Sequence, residues 1–286
     1  LFWDKVYYLD EKIPGHPAAL RLIESLLSTV NLLDKEKKPL QKSKIITKKA
    51  GKITQQYLVI GDAEYLLGSG GALVPDTVIA EVEENLMHLE WILKDMLLGE
   101  NIMLAGEAGV GKNTIERYLA HLLHYNILIA GMSGQTKVSD FQTYRSFGEE
   151  ERGKTGDTAT LVLSAMTDEQ RQWLVVLDEA NKAQLGVLVA LNDLLQDKGL
   201  RLPDGRELPI INPVFVNINP NRPPYEVHDF SFEFMDRFAR HNIKHPPEEQ
   251  AVEILMQKYP QAYADFVQCV VAAIYGLHPL FSDGIL

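Results

Sequence analysis

Residues 100 to 124 read Glu100-Asn-Ile-Met-Leu-Ala-Gly-Glu-Ala-Gly-Val-Gly-Lys-Asn-Thr-Ile-Glu-Arg-Tyr-Leu-Ala-His-Leu-Leu-His124. Ile102 to Ala105 is a short apolar run and Gly106 to Gly111 a glycine-rich turn; after Lys112, the residues Ile115, Leu119, Leu122 and Leu123 recur at helical spacing. Strand, loop and helix in that order make a phosphate-binding loop. Its glycines let backbone N–H groups turn inward around an anion, the helix N-terminus adds partial positive charge, and the lysine reaches the outer phosphates. The cradle is Gly106, Glu107, Ala108, Gly109, Val110, Gly111, Lys112, Asn113 and Thr114. The motif asks for Ser or Thr directly after the lysine to ligate Mg²⁺, and here Asn113 stands there, with Thr114 next. A carboxamide oxygen can ligate Mg²⁺, but it reaches farther than a hydroxyl, and Mg²⁺ tolerates poor octahedral geometry badly. Nucleotide binding should survive this change; hydrolysis is the step it puts in question.

Working outward, Val78 to Leu98 carries Ile79, Val82, Leu86, Leu89, Leu93, Met96 and Leu97 on one apolar face and reads as a helix delivering the chain to the loop. Downstream, Asn126 to Gly131 reads as a buried strand and 132 to 160 as loop with at most one short helix. Trp173-Leu-Val-Val-Leu-Asp-Glu reads as an apolar strand ending in Asp178 and Glu179, and Gln184 to Asp197 as a helix. Pro-Asp-Gly between the short runs of 199 to 210 signals a hairpin, and Pro213-Val-Phe-Val-Asn-Ile-Asn-Pro220 another buried strand. The remainder reads as helical, interrupted by prolines. Strands alternating with helices imply a three-layer α/β sandwich with a mostly parallel sheet.

Ligands collect at strand ends of such a sheet. Three apolar strands end in suitable chemistry: the loop after Ala105, Asp178-Glu179 after Leu177, and Asn217 to Asn219 after Val216. A strand-terminal acid pair is the second half of a nucleoside triphosphate site, the aspartate ordering the Mg²⁺ shell and the glutamate polarising water. Gly148-Glu-Glu-Glu-Arg-Gly-Lys-Thr155 matches the phosphate-loop pattern letter by letter, threonine included. Its context speaks against it: no buried strand precedes it, no amphipathic helix follows, and three glutamates would face a triphosphate. Like charges so placed cost on the order of 1 to 4 kcal/mol per pair.

The 286 residues carry a net charge of −11, which argues against a protein that wraps nucleic acid or coats an anionic membrane. Lys35 to Lys52 is the exception, with eight lysines and one glutamate, and reads as a solvated linker. Before it, 17 to 33 reads as an apolar helix; Ile53 to Ile60 alternates like a strand; Gly68-Ser-Gly-Gly-Ala72 reads as a flexible joint. The expected division is therefore 1–72, an N-terminal extension or the tail of a preceding module; 73–240, the α/β core; and 241–286, the start of a truncated helical lid. No apolar run approaches the roughly 18 to 20 residues that span a bilayer. A chain opening on Leu1 reads as part of something longer. Cys269 sits in an apolar run and reads as a small core residue, a single cysteine being compatible with a reducing compartment. His121 with His124, and His241 with His245, lack an obvious third ligand, so a metal site is not expected at either pair.

Strand, Gly-x-x-x-x-Gly-Lys, strand-Asp-Glu, hairpin, strand-Asn and Asp-Arg-Phe in this order resemble the AAA+ ATPases, specifically their MoxR and dynein-related branch. Asp178-Glu-Ala-Asn-Lys-Ala183 looks like that branch's Asp-Glu-x-Asn-Arg-Ala, with Lys182 in place of the arginine. The 199–210 hairpin looks like the pre-sensor-1 hairpin, and 141–165 occupies the place of the helix-2 insert. Asn219 before Pro220 is similar to sensor 1, and Arg237 in Asp236-Arg-Phe to the arginine finger that reaches a neighbour's nucleotide. A closer resemblance, over roughly 73 to 286, is to the AAA+ modules of the von Willebrand factor A domain-containing 8 family. It rests on Leu73-Val-Pro-Asp, on Leu93-Lys-Asp-Met-Leu-Leu-Gly-Glu, on the Gly-Lys-Asn ending of the loop and on the tail Leu280-Phe-Ser-Asp-Gly-Ile-Leu. The resemblance implies ATP and Mg²⁺ as cofactors. Gly106 to Thr114 would hold phosphates, Asp178 with Asn113 the ion, Glu179 and Asn219 the water, and Arg237 would act in trans. It further implies a homo-oligomeric, hexameric ring that remodels a client, with a von Willebrand A domain as partner in cis or in trans. The compartment implied is the mitochondrial matrix for a eukaryotic member and the cytoplasm otherwise. The alternative expectation is a ring module that binds nucleotide without hydrolysing it. A GTP switch is disfavoured, because Asn181-Lys-Ala-Gln lacks the aspartate of the guanine-reading motif.

Overall fold

A computed structural model describes residues 42–50, 53–141, 143–147, 155–201, 207–221, 227–261 and 263–282. The expected helix at 17 to 33 and the decoy loop at 148–154 lie outside them. Residues 42–286 form one compact unit.

Its centre is a five-stranded parallel sheet of β4 (Asn101–Ala105), β5 (Asn126–Gly131), β8 (Trp173–Asp178), β11 (Val214–Ile218) and β12 (Phe238–Asn242), in the spatial order β12-β4-β11-β8-β5. The inner strands β4, β8 and β11 are buried along nearly their whole length, as expected of a parallel sheet covered on both faces. The cover is α1 (Glu83–Leu97), α2 (Lys112–Leu123), α3 (Leu161–Thr167) and α4 (Leu185–Gln196). Leu86, Leu89, Leu93 and Met96 of α1 face inward as their spacing requires, but Leu97 is 53% exposed and the helix begins at Glu83 instead of Val78. Val82 takes the extended N-cap position, with Glu83 and Glu84 favourably placed in the first turn. The core under α4 gathers Leu163, Trp173, Val175, Leu177, Leu191, Val216 and Phe238.

Several expectations need correction. The lysine-rich stretch is not all linker: β1 (Lys44–Ala50), β2 (Ile53–Ile60) and β3 (Ala63–Leu66) form an antiparallel sheet in that order, and Leu58, Ile60 and Ala63 are buried where the sheet meets α1. Lysines flank Ile45 and Ile46 there, so charge density concealed a strand. The 68–72 joint is pinned. Gly68 N donates to Leu123 O (2.8 Å), Ser69 N to Gln172 Oε1 (3.2 Å) and Leu73 N to Asn126 Oδ1 (3.2 Å), so its composition reports close backbone approach rather than freedom. The 132–160 region contains a strand pair, β6 (Thr143–Phe147) with β7 (Thr155–Ala159), besides a 3-10 turn at Val138–Phe141. The remainder is not purely helical, because β12 adds the fifth strand, parallel to β4 from Phe238↔Asn101 to Asn242↔Ala105. Arg240 and His241 interrupt its apolar pattern, and His241 Nε2 lies 2.9 Å from Asp95 Oδ2 of α1. That contact gives a buried ring nitrogen its partner.

The hairpin of β9 (Gly199–Arg201) and β10 (Glu207–Pro209) follows the expected place. After α5 (Phe232–Met235) and β12 come α6 (Glu248–Lys258) and α7 (Ala264–Ser282), packed on each other. Cys269 on α7 is exposed, not a core residue; Val267 and Val271 of that helix are buried.

Asn126 holds the pinned segment to the sheet, its oxygen accepting from Leu73 N and its nitrogen donating to Gln172 O (3.3 Å). Asn126→Ala leaves both groups short of a partner at the sheet edge, and a loss of about 1–3 kcal/mol is expected in denaturant unfolding. Limited proteolysis should then cut between 67 and 73, where the parent resists.

Candidate nucleotide site

Because β11 lies between β4 and β8, the three functional strand ends open onto one edge of the sheet. The loop after β4 turns through Gly106, where an added Cβ would collide with the Ile243 carbonyl, and closes at Gly111, whose φ of +101° serves as the left-handed cap of α2. Gly111 thereby heads a helix with no side-chain cap, so no side chain satisfies its first N–H groups.

Lys112 is only 7% exposed. Its ammonium donates to Gly106 O (2.6 Å), Glu107 O (2.8 Å) and Asn219 Oδ1 (3.1 Å), matching three donors with three acceptors. Burial pulls its pKa down, against the opposing fields of Asp178, Glu116, Glu179 and Glu107. Asn219 Nδ2 reaches Glu179 Oε1 (3.4 Å), so the loop lysine, the sensor-position asparagine and the strand-end glutamate form one chain. Glu179 has a φ of 55°, a costly conformation for a residue with a side chain. Lys182 holds it there: Nζ pairs with Glu179 Oε1 at 2.7 Å, and Lys182 N donates to Glu179 O at 2.9 Å.

Asn113 and Asp178 are brought together at 2.8 Å, but through Asn113 Nδ2 and Asp178 Oδ2. The amide nitrogen, not the oxygen expected to hold a cation, faces the aspartate. The oxygen instead accepts from Asn217 Nδ2 at 2.7 Å, and the same nitrogen reaches Glu116 Oε2 at 3.1 Å. Glu116 is fully buried, and burial pushes its carboxyl up to about 8, the hydrogen bond from Asn217 opposing the rise. Thr114 is exposed at the start of α2, and its N–H donates to Gly111 O at 3.0 Å.

Arg237 does not join this cluster. Its guanidinium donates to Asn192 Oδ1 (3.3 Å) and Gln196 Oε1 (2.6 Å) of α4. The histidines are dispersed: His121 Nδ1 lies 2.9 Å from Pro75 O, His124 caps α2 with a φ of 57°, and His245 lies 3.9 Å from Glu107. Among the described residues no group of three or more His, Cys, Asp or Glu is placed to hold a metal ion.

Sequence reasoning gave no role to three members, although Asn217 lay within a strand end it had marked. Asn181 is buried and clasps the backbone of residue 219, donating to Asn219 O (2.7 Å) and accepting from Asn219 N (3.4 Å). Asn217 stands two residues before Asn219, and strand alternation places both on one face, a legible signal. Glu116 follows Lys112 by four residues and Asn113 by three, one helical turn, which the sequence also shows without revealing the burial.

A glycine cradle, a buried lysine and a strand-end acid pair on a parallel sheet define a P-loop nucleotide-binding domain. The chain matches, over residues 101–238, the family model of the AAA domain, dynein-related subfamily. It is 29% identical over 233 residues to von Willebrand factor A domain-containing protein 8 of Mus musculus, covering 74% of this chain and 12% of that protein. It is 26% identical over 212 residues to midasin of Dictyostelium discoideum, covering 72% of this chain and 3% of that protein. The chain thus spans a small part of these relatives. In fold it resembles the solved structure of a candidate ATPase from Cytophaga hutchinsonii, with a TM-score of 0.50 and 17% identity over 70% of this chain and 59% of that one. The two matched relatives and the family model together identify an AAA+ ATPase module of the dynein-related type.

Glu116 gives the site a pH signature. The folded chain keeps the proton up to about 8, whereas the unfolded carboxyl releases it near 4.5. Between those values the native state binds more protons, so stability falls as pH rises. Glu116→Gln removes that penalty, and its melting temperature is expected to gain on the parent steadily from pH 5 to pH 8.

Proposed function

We propose that this chain binds ATP with Mg²⁺ through residues 106–114 and Asp178, and hydrolyses it as one module of a MoxR-like ring. The observation that carries the reading is the continuous chain Lys112–Asn219–Glu179, which ties the anion-binding loop to a carboxylate positioned to polarise water. Asp178 fits the cation as a hard oxygen donor at the strand end, phosphate oxygens completing the shell. When bound, Mg²⁺ neutralises charge developing on the transferred phosphoryl group. Lys112 binds the outer phosphates, Glu179 orients water, and Asn219 aligns both.

Arg237 supports assembly. It sits on the stripe of α4 that runs Leu185, Val189, Asn192, Gln196, and the apolar members of that stripe are 63% and 61% exposed, with Phe232 nearby in sequence at 68%. A neighbouring copy covering this face would receive Arg237 at its nucleotide, in a hexameric ring. In this reading residues 73–240 are the core, 241–286 begin a lid, and a von Willebrand A domain, as in the name of the mouse relative, is the partner through which a client is remodelled. A second reading, nucleotide binding without hydrolysis, is favoured by one observation: Asn113 turns its nitrogen to Asp178 where hydrolytic loops place a hydroxyl.

Lys112→Ala is expected to weaken binding of a fluorescent ATP analogue about a hundredfold; unchanged affinity would falsify the site. Glu179→Gln should keep that affinity while phosphate release falls by roughly 10²–10³, the size of a lost transition-state contact. Release by the parent that is no greater than by Glu179→Gln selects the non-hydrolysing reading. Arg237→Ala should cost about 10³ in release only under conditions where the parent assembles.

A further inference from the structure

The carboxamide of Asn113 has two ends, and which end faces the cation position is set from behind. Glu116 Oε2 accepts from Asn217 Nδ2 at 3.1 Å. The same nitrogen donates to Asn113 Oδ1 at 2.7 Å, which leaves Asn113 Nδ2 for Asp178 Oδ2 at 2.8 Å. Reversing Asn113 alone would set oxygen against carboxylate and nitrogen against nitrogen. Reversing Asn217 with it would still set the Asn113 oxygen against the Asp178 carboxylate, and would forfeit the N–H that Glu116 Oε2 accepts. Each link is short, Glu116 and Asn217 are fully buried, and no other hydrogen-bond partner reaches Glu116 Oε1 or Asn217 Oδ1 among the described residues. Nothing from outside therefore competes for the orientation.

We propose that Glu116 and Asn217 are positioning residues that lock Asn113 as a donor to Asp178, so that Asn113 orients the cation-binding aspartate instead of ligating the cation. The inference rests on the reading of residues 106–114 and Asp178 as the nucleotide and cation site. It explains how a loop without Ser or Thr after its lysine keeps an ordered aspartate: the N–H of Asn113 takes over the hydroxyl's contact to the carboxylate. Partners that orient metal ligands from behind are typically worth 10–100-fold in metal affinity.

The test measures Mn²⁺ affinity by electron paramagnetic resonance in the presence of saturating ADP, after affinity for fluorescent ADP has been measured separately in EDTA. Glu116→Leu is expected to weaken Mn²⁺ about tenfold while metal-free ADP affinity stays within twofold. Glu116→Gln keeps an amide oxygen for Asn217 and should stay within twofold in both. Asn113→Ala should weaken Mn²⁺ by a similar tenfold, and adding Glu116→Leu to it should cost nothing more, the mark of residues acting in series. Asn217→Ala asks the same of the middle link, with the same loss, and stands in for Glu116→Leu where that variant does not fold. The lock is overturned by Mn²⁺ affinity that is unchanged or tighter in Glu116→Leu, or by a tenfold loss that persists in the Asn113→Ala background. A parent that binds no ADP in EDTA overturns the underlying site, and this proposal with it, before any metal is added.

Discussion

Strand β11 is hydrogen-bonded on one side to β4 and on the other to β8, and both pairings are parallel. This constraint makes the site. Phe215 sits opposite Ile102 and Val176 at once, so the strands that carry the glycine loop and the acid pair must finish level with Asn217 and Asn219. The side chains then have short distances to cover. Lys112 meets Asn219, and Asn113 meets both Asn217 and Asp178, contacts between residues as much as 107 positions apart in the chain.

Polar groups gathered so deep must satisfy one another. Lysine, aspartate, two glutamates and four asparagines occupy the sheet edge, and burial disfavours the charge on both Glu116 and Lys112, raising the pKa of one and lowering that of the other. Asn113, Asn181 and Asn219 resolve the conflict by both donating and accepting within one side chain. Asn181 fixes a backbone, Asn219 bridges a cation and an anion, and Asn217 serves two acceptors. Removing one such group leaves others unpaired in a medium where that is expensive.

Much of this was legible in the sequence. The β4 loop, the β8 acid pair, the hairpin and the Asn219 strand follow from apolar runs and glycines, because buried parallel strands declare themselves by composition. What stayed hidden is instructive. Strand β12 is an edge strand whose Arg240 and His241 break the apolar signal, and its place is fixed by pairing with β4 and by Asp95, both distant in the chain. Strand β1 was masked by its lysines. The Gly68–Gly71 segment looked mobile because its restraints are backbone hydrogen bonds, to which composition is blind. Glu116 carries no sequence signal of its burial, since periodicity reports the face of a helix and not what roofs it. The orientation of Asn113 depends on that glutamate and was therefore out of reach.

The contact between Gly106 and Ile243 reaches beyond the loop. Ile243 N donates to Ala105 O at 2.7 Å, and its carbonyl presses where Gly106 has no side chain. Helix α6 begins at Glu248, so a leash of four residues, five Cα steps and roughly 17 Å at full stretch, joins it to that anchor. Whatever displaces the phosphate loop tugs on the root of the C-terminal helices, and a load on those helices pulls back on the same glycine.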